Sequence, residues 1–328
     1  MSEAFPLSKV CIVGGAGVVG SHFVDRLLAT DAVQDLRVFD NFSSGRHWHL
    51  EHHRSDLRLA VVEGEVSDLS SLTEALRGVE TVIHLASNPD IARAMTEPSI
   101  DFNQGTALTH NVVEAMRVVG AQSILYASGS GVYGDLGNFE VNEDFGPLLP
   151  ISTYGASKLA GEALIASYSY MFDLRGVAFR FGNVVGPRQT HGVGFDFLRR
   201  LIADGSELRI LGDGSQSKSY IHVSDVVEAV LTAARHGADP FTAYNVATGD
   251  YVTVEEIAEL AVDVAGTKGK TRFTYTGGDR GWKGDVPVVR LDTTRIRELG
   301  WSNQLSSTEA LRASLESMLG DARTGRLS

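Results

Sequence analysis

The stretch that decides the fold is Val10-Cys11-Ile12-Val13-Gly14-Gly15-Ala16-Gly17-Val18-Val19-Gly20. Its four leading apolar residues predict a buried strand, and the apolar spacing over 18–28 predicts a helix. Gly14, Gly17 and Gly20 lie at the turn between them. Glycine lets such a turn close and lets a phosphate approach the backbone, while the helix N-terminus presents free N–H groups. The pattern therefore indicates a site for a dinucleotide pyrophosphate.

A carboxylate follows this turn at the distance typical of ribose recognition. Asp40 comes 20 residues after Gly20, directly behind the apolar segment 36–39, which predicts a second strand. A carboxylate there accepts hydrogen bonds from both hydroxyls of an adenosine ribose and repels a 2′-phosphate. The spacing favours NAD over NADP. Because Arg46 lies close by, NADP stays an alternative cofactor. The alternative interpretation of Asp40 is that it is an ordinary turn residue.

The first half of the chain alternates short apolar strands with helices. This alternation predicts an α/β fold of the Rossmann type, a doubly wound parallel sheet with helices on both faces. The predicted strands are 9–13, 36–39, 59–63, 81–85, 123–127 and 177–181, and the predicted helices are 18–28, 70–76, 106–119 and 152–172.

The pattern changes after residue 182. Beyond it we predict helices at 195–202, 223–234, 253–264 and 307–319, and a strand at 208–211. We expect a dinucleotide-binding domain from 1–185 plus 220–249. A smaller mixed α/β C-terminal lobe for substrate would comprise 186–219 plus 250–320, with a flexible tail at 321–328.

The composition of the chain excludes some classes of binding partner and favours one cell compartment. The net charge is −12 and no basic stripe is present, which argues against nucleic acid. No apolar run reaches the roughly 20 residues of a transmembrane helix, so we expect no membrane partner. The single cysteine, Cys11, lies in an apolar run and is expected to be a core residue. Without a disulfide framework, a cytoplasmic location is expected.

A second pair of residues supplies chemistry. Tyr154 and Lys158 stand at i and i+4 and share one face of the predicted helix 152–172. An ammonium beside a phenol can lower its pKa and turn it into a general base, and it can also hold a nicotinamide ribose. The spacing alone is common by chance. Downstream of a dinucleotide motif, it indicates redox chemistry on a hydroxyl or ketone.

Further motifs carry a family resemblance. They are Asp40-Asn41-Phe42-Ser43-Ser44-Gly45, His84-Leu85-Ala86, Arg180-Phe181-Gly182-Asn183-Val184-Val185-Gly186-Pro187-Arg188, Gly212-Asp213-Gly214-Ser215-Gln216 and Gly284-Asp285-Val286-Pro287. In this order, over roughly 8–320, the chain resembles the extended short-chain dehydrogenases/reductases of the NAD-dependent epimerase/dehydratase family. It is most similar to UDP-glucose 4-epimerases. The resemblance implies NAD as cofactor and a nucleotide sugar, by default a UDP-hexose, as substrate.

The resemblance also implies roles for individual residues. Cofactor-binding positions are Gly14, Gly17, Val18, Val19, Gly20, Asp40, Asn41, Ser43, Ser44, Gly45, Glu65, Val66, Leu85, Ala86, Ser87, Tyr154 and Lys158. Substrate-binding positions are Asn183, Val193, Lys218, Arg280 and Asp285. Lys218 stands where the family usually has an arginine, so the bidentate fork is lost. Each basic residue taken alone has an alternative interpretation as a solvated surface charge. Relatives often dimerise through two helices, here 106–119 and 152–172, in a four-helix bundle.

Two positions depart from the family pattern. Gly129 replaces the serine or threonine that relays a proton between the tyrosine and the sugar 4-hydroxyl. Ser128 and Ser130 flank it and are candidate catalytic replacements, although strand alternation points neighbours elsewhere. Tyr154 acting directly, or through a water, is the alternative. Gly105 replaces a family asparagine, and both changes are expected to enlarge the space near the nicotinamide.

The resemblance favours one reaction over its relatives. In 4-epimerisation the tyrosine removes the 4-hydroxyl proton as hydride passes to NAD, the 4-keto sugar turns over, and hydride returns. The related 4,6-dehydratases need an Asp-Glu pair where this chain has Ser130 and Gly131. Glucuronate epimerases tend to carry an arginine where Thr190 and His191 stand, which favours a neutral hexose. A 4-ketoreductase and a non-catalytic NAD-binding sensor remain alternatives.

A histidine-rich segment stands apart from these motifs. His47-Trp48-His49 and His52-His53 resemble metal-ligand spacing, yet no cysteine or carboxylate constellation accompanies them. No metal is therefore expected.

Overall fold

A computed structural model describes residues 3–238 and 240–327. The strands are β1 (Lys9–Val13), β2 (Asp35–Asp40), β3 (Leu59–Glu63), β4 (Thr81–His84), β5 (Ser123–Gly129), β6 (Arg175–Phe181), β7 (Asn183–Val185), β8 (Glu207–Ile210), β9 (Ser217–Lys218), β10 (Tyr220–His222), β11 (Phe241–Val246), β12 (Val252–Thr253) and β13 (Arg272–Tyr275). The α-helices are α1 (Val18–Leu28), α2 (Leu69–Ala75), α3 (Ala107–Val119), α4 (Thr153–Phe172), α5 (Val193–Ala203), α6 (Val223–His236), α7 (Val254–Val264), α8 (Thr294–Arg297) and α9 (Ser307–Arg323). Short 3-10 turns cover His47–His49, Glu51–His53, Ile91–Met95 and Ser130–Tyr133.

A seven-stranded sheet of order β11-β6-β5-β4-β1-β2-β3 forms the centre of the molecule, and every pairing in it is parallel. The order 3-2-1-4-5-6 is that of the dinucleotide-binding Rossmann fold. The predicted doubly wound α/β fold is thus confirmed. The chain reverses direction across the sheet between β1 and β4, and ligands of such sheets bind at the carboxyl ends of these two strands.

Alternation along β1 explains why its sequence is apolar throughout. Val10 and Ile12 belong to a core with α1 and α6 on one face of the sheet. Cys11 and Val13 face a second core, which α2, α3 and α4 cover. A strand that is buried on both faces needs apolar residues at consecutive positions. Burial raises the pKa of the Cys11 thiol to about 12, so it is the core residue that the sequence predicts.

A third core lies in the C-terminal part. Apolar residues of α5, α7 and α9 pack there with β8 and β10. The small sheets beside it pair β8 with β13 in parallel and β9 with β12 antiparallel. Between these segments the chain returns through α6 to β11, which completes the large sheet beside β6.

Most predicted limits lie within two residues of the observed ones, and two differences have consequences. A π-helical turn, Phe102–Thr106, precedes α3, so the regular helix begins at Ala107. Helix α9 continues to Arg323, into the segment 321–328 expected to be a flexible tail. Leu327 packs against the third core, and Ser328 lies outside the described residues.

None of the helices in the described part of the chain has the length and hydropathy that crossing a bilayer requires.

His84, at the end of β4, makes stability sensitive to acid. Burial and the charge of Lys158 lower its pKa to about 3, whereas an unfolded histidine titrates near 6.5. The unfolded chain therefore binds this proton first, and the folded state loses stability as the pH falls from 6.5 towards 3. Since one pKa unit corresponds to about 1.4 kcal/mol, we expect His84→Asn to flatten the pH dependence of the unfolding free energy by up to several kcal/mol.

Urea titrations between pH 7 and pH 4 measure this effect. The control is His110→Asn, an exposed site on α3, which should retain the wild-type slope. Equal slopes for His84→Asn and the wild type would contradict the assignment.

Candidate active site

The glycine-rich turn lies against the loop that follows β4. Gly14 has φ +87°, and a Cβ added to it would come 2.7 Å from the Ala86 amide nitrogen. Helix α1 starts immediately afterwards, with Gly17 as N-cap and no side chain capping it. The N–H groups of its first turn, at Val18 and Val19, are therefore available to an anion. This arrangement fits a dinucleotide pyrophosphate.

Asp40 braces the glycine-rich turn as well as standing at the predicted ribose position. Its Oδ2 accepts a hydrogen bond of 2.9 Å from the Ala16 amide, and its Oδ1 accepts one of 2.8 Å from Phe42. Burial raises the pKa of Asp40, and these amides oppose the shift. Arg46 Nη1 donates to the carbonyls of Ser44 and Gly45, both at 3.1 Å.

The loops after β2 and β3 meet where the sequence places adenosine contacts. Asn41 Nδ2 donates to Glu65 Oε2 at 3.0 Å, and Asn41 Oδ1 accepts from the Ser43 amide at 3.0 Å. Val66 beside them is buried. The structure thus brings these predicted residues to one edge, next to the turn.

The N-terminus of α4 positions the predicted catalytic pair. Ser152 caps the helix by accepting from the Gly155 amide at 3.0 Å, which places Tyr154 in the first turn. Lys158 Nζ lies 5.4 Å from the centre of the Tyr154 ring and donates to the Ala127 carbonyl at 2.7 Å. The side chain of Ser87, in the loop after β4, lies beside the Tyr154 phenol and acts to lower its pKa.

Burial controls the ionisation of both groups. It raises the pKa of Tyr154 to about 12, against an opposing hydrogen bond from Ser87, and it lowers the pKa of Lys158 to about 8. The prediction was that the ammonium would lower the phenol pKa. In the protein alone burial dominates and raises the phenol pKa instead, so the phenol is protonated at neutral pH.

The serines beside Gly129 have different surroundings. Ser128 is buried, and its Oγ donates to Glu162 Oε1 at 2.5 Å. This bond commits its hydroxyl to Glu162, which argues against the relay for which Ser128 was a candidate. Ser130 opens the half-buried 3-10 turn after β5 and stays a candidate. A Cβ added to Gly129 would meet no atom within 4 Å, so this position is open as predicted.

Gly105 does not enlarge the site, which corrects the expectation for that position. A Cβ added to it would lie 2.6 Å from Ser157 Oγ and 3.0 Å from Ser157 Cβ. The π-helical turn before α3 therefore packs directly against α4. Glycine is required here by this contact between helices, and Ser157 occupies the space that we expected to be empty.

A buried ion pair, which sequence reasoning missed, lies behind Lys158. Glu162 and Arg180 approach to 2.7 Å with side chains 5% and 6% exposed. Arg180 also donates to the Tyr133 hydroxyl at 2.8 Å, which in turn donates to Asn245 Oδ1 at 2.7 Å. The network joins α4 to β5, β6 and β11. One signal pointed to it, because Glu162 follows Lys158 by four residues on the same helical face.

The predicted substrate residues of the C-terminal part cluster. Lys218 Nζ lies 2.6 Å from Asp285 Oδ1, and Arg280 donates to the Asp285 carbonyl at 2.9 Å and to Asp135 Oδ2 at 2.6 Å. Exposed Asn183 is joined to this cluster through the carbonyl of Ser219, which follows Lys218 and accepts from the Asn183 amide at 3.0 Å. Val193 is the first residue of α5, and His191 precedes it on an exposed loop.

Known proteins share this arrangement over nearly the whole chain. A UDP-glucose 4-epimerase of Mycolicibacterium smegmatis is 31% identical over 94% of this chain and 97% of its own. A crystal structure of a UDP-galactose 4-epimerase has a TM-score of 0.84 at 34% identity, covering 95% of this chain and 99% of that one.

The match extends beyond epimerases. DesIV, a dTDP-glucose 4,6-dehydratase from Streptomyces venezuelae whose double mutant was solved with NAD bound, has a TM-score of 0.88 at 26% identity over 96% of this chain and 98% of its own. The sequence model described as the NAD dependent epimerase/dehydratase family matches residues 10–247. With its parallel sheet, glycine-rich turn and tyrosine–lysine pair, this chain belongs to the NAD dependent epimerase/dehydratase family.

Proposed function

We propose that this protein is an NAD-dependent sugar-nucleotide 4-epimerase that acts on UDP-glucose and UDP-galactose, or on a related UDP-hexose. One observation carries the proposal. The loop after β4 contacts the glycine-rich turn through Ala86 and the Tyr154 phenol through Ser87. The dinucleotide site and the acid–base group therefore meet at adjacent residues of one loop, as hydride transfer at a sugar carbon requires.

The side chains divide the work of the proposed reaction. Bound NAD would accept the hydride from the sugar and return it. Tyr154 takes the proton of the 4-hydroxyl. It gives that proton back to the same oxygen when the hydride returns to the other face of the 4-keto intermediate. A raised pKa makes the phenol a weaker acid, so both its use as a base and the return of its proton require positive charge close by, which brings the pKa down towards neutral. Lys158, held at the Ala127 carbonyl, supplies part of that charge.

The nucleotide end of the substrate would meet the cluster of Lys218, Arg280 and Asp285. Both cations are already paired with carboxylates, Asp285 and Asp135, which orient them. An anionic diphosphate is recognised by such oriented cations. We assign Asn183 and Val193 to the same substrate, and Gly14 to Gly20, Asp40 to Gly45, Glu65, Val66 and Leu85 to Ser87 to NAD.

Two lobes would then share the work. We propose that 1–185 plus 220–249 bind NAD and that 186–219 plus 250–320 bind the nucleotide sugar. The separate core of α5, α7 and α9 supports this division.

A 4,6-dehydratase is the nearest alternative, and the fold alone does not separate the two activities, since DesIV superposes as well as the epimerase. The residues after β5 favour the epimerase. The related 4,6-dehydratases use an acid and a base at the positions that Ser130 and Gly131 occupy in this chain. Neither Ser130 nor Gly131 carries a carboxyl group. Elimination of water from the sugar needs both groups.

We also propose a cytoplasmic homodimer that buries α3 and α4. Large apolar side chains at the ends of these helices are exposed: Val118 by 57%, Tyr170 by 74% and Met171 by 71%. Exposed apolar residues clustered on neighbouring helices are typical of an interface. The single buried thiol fits a reducing compartment.

The decisive experiment incubates purified protein with UDP-galactose, with and without added NAD, and measures UDP-glucose. Conversion without added NAD supports a 4-epimerase that retains its cofactor. If the protein holds NAD but does not convert UDP-galactose, its substrate is a different sugar nucleotide. A panel of sugar nucleotides is then tested, with the products identified by mass spectrometry. NAD that exchanges freely would support a ketoreductase, and bound NAD that no sugar nucleotide reduces would support a sensor.

Gly129 allows a separate test of the proton relay. Its extended backbone, φ −163°, accepts any residue, and its Cβ position is open. We expect Gly129→Ser to leave the unfolding free energy within about 0.5 kcal/mol and to raise kcat by up to about 10²-fold. Gly129→Ala is the control, because it adds the Cβ without the hydroxyl. Equal kcat values for the Ser variant, the Ala variant and the wild type would show that a hydroxyl here relays no proton.

A further inference from the structure

The histidine-rich segment acquires a carboxylate in the folded protein. His52 and His53 lie in the 3-10 turn Glu51–His53, and both turn their Nε2 atoms to Asp25 in α1. The distances to Asp25 Oδ1 are 2.8 Å from His52 and 2.9 Å from His53. No metal is expected from the sequence, because no cysteine or carboxylate constellation accompanies this segment. The carboxylate partner comes from elsewhere in the chain. That partner stands 27 residues away from His52, across β2.

The three donor atoms have the spacing of a metal site. One ligand atom from each of Asp25, His52 and His53 lies within 4.8 Å of the other two. Around a tetrahedral ion with bonds of about 2.0–2.1 Å, ligand atoms stand roughly 3.3 Å apart. The N–O distances therefore have to widen by only about half an ångström. Histidine side chains that are 48% and 19% exposed can make such a movement.

Neighbouring groups orient the carboxylate without occupying its donor oxygen. Arg188 lies 2.9 Å from Asp25 Oδ2, on the oxygen that faces away from the two histidines. A second group that bonds the free oxygen of a ligating carboxylate is typical of metal sites.

We propose that Asp25, His52 and His53 bind a divalent transition-metal ion, with Zn²⁺ as the best match to two imidazoles and one carboxylate. The fourth position is open to water, because His52 is half-exposed. The ion replaces the two N–H···O hydrogen bonds, since each imidazole presents its Nε2 lone pair to the metal and keeps its proton on Nδ1.

Such an ion would connect parts of the chain that no strand pairing joins. Of the ligands, Asp25 belongs to α1, and His52 and His53 lie in the 3-10 turn that follows the loop after β2. Arg188, which binds the other oxygen of Asp25, follows β7. The site is independent of the proposed epimerase activity, so it can be tested without substrate.

The test uses full-length protein without an affinity tag, stripped with EDTA and then dialysed against Zn²⁺. We expect one Zn²⁺ per chain, measured by inductively coupled plasma mass spectrometry. We also expect Tm to increase when Zn²⁺ is added to the stripped protein. His52→Gln and His53→Gln should each weaken Zn²⁺ binding at least about tenfold, measured by competition with a chromophoric chelator. Both variants should show the Tm of the metal-free wild type, since neither residue is in the core.

His47→Gln is the matched control, because His47 lies in the same segment and stacks on Phe42 instead of facing Asp25. It should bind Zn²⁺ as the wild type does. The proposal is overturned if the wild type retains no Zn²⁺ after dialysis, or if His52→Gln and His53→Gln bind Zn²⁺ as tightly as His47→Gln.

Discussion

Replacing Tyr154 with phenylalanine is expected to lower kcat by at least about 10³-fold while NAD stays bound. The change removes one oxygen atom from a side chain that packs at the start of α4, and it leaves the ring that faces Lys158. The lost hydroxyl is the group that exchanges a proton with the sugar. Turnover is measured with the sugar nucleotide that the wild type converts, and bound NAD is quantified after denaturation.

A tyrosine on the same helix provides the control for that variant. Tyr170 is 74% exposed near the C-terminal end of α4, so Tyr170→Phe removes a hydroxyl of the same kind far from the N-terminal turn. It should keep wild-type turnover. Substantial residual turnover in Tyr154→Phe would refute the assignment of the acid–base group, whichever sugar is the substrate.

Replacing Glu162 with leucine is expected to destabilise the protein by about 3–5 kcal/mol. The change leaves the Arg180 guanidinium buried without its partner, and the Ser128 hydroxyl loses its acceptor. A guanidinium stays protonated at neutral pH even without a carboxylate beside it, so the arginine does not escape the penalty by losing its proton. Equilibrium unfolding in urea measures the loss.

Two further variants separate a buried charge from a general packing defect. In the double variant Glu162→Leu with Arg180→Met, no charge is left unpaired, and most of the lost stability should return. Glu97→Gln breaks the exposed pair with Arg93, at 2.8 Å, and should leave the urea midpoint unchanged. A double variant that is no more stable than Glu162→Leu alone would contradict the proposed cause.

Six of the seven strands of the central sheet were predictable because they are defined locally, whereas β11 was not among the predicted strands. In β1 an apolar run that is buried on both faces and followed by glycine specifies both the strand and its end. The limits of β1, α1 and β3 are the predicted ones. The cofactor edge was predictable for the same reason. Gly14 and Asp40 lie at strand ends, and the carboxyl ends of parallel strands meet at one edge of the sheet.

Features set by contacts between distant segments were not predictable. The π-helical turn before α3 follows from the approach of Gly105 to Ser157, which no local pattern signals. The meeting of Asp25 with His52 depends on how α1 packs beside the turn after β2. Helix α9 passes through Gly320, which reads as a stop in the sequence. Packing of Met318, Leu319 and Leu327 on the third core holds the chain beyond that point.

One face of α4 carries Tyr154, Lys158 and Glu162 at successive turns, so this helix is a rigid rod with the reactive phenol at one end and the buried ion pair further along. Any rotation that moved the phenol to suit a different sugar would also pull Glu162 away from Arg180. Laboratory evolution of new substrate preference should therefore collect its useful substitutions in the loops around His191 and Arg280. Those loops can change shape without disturbing the helix.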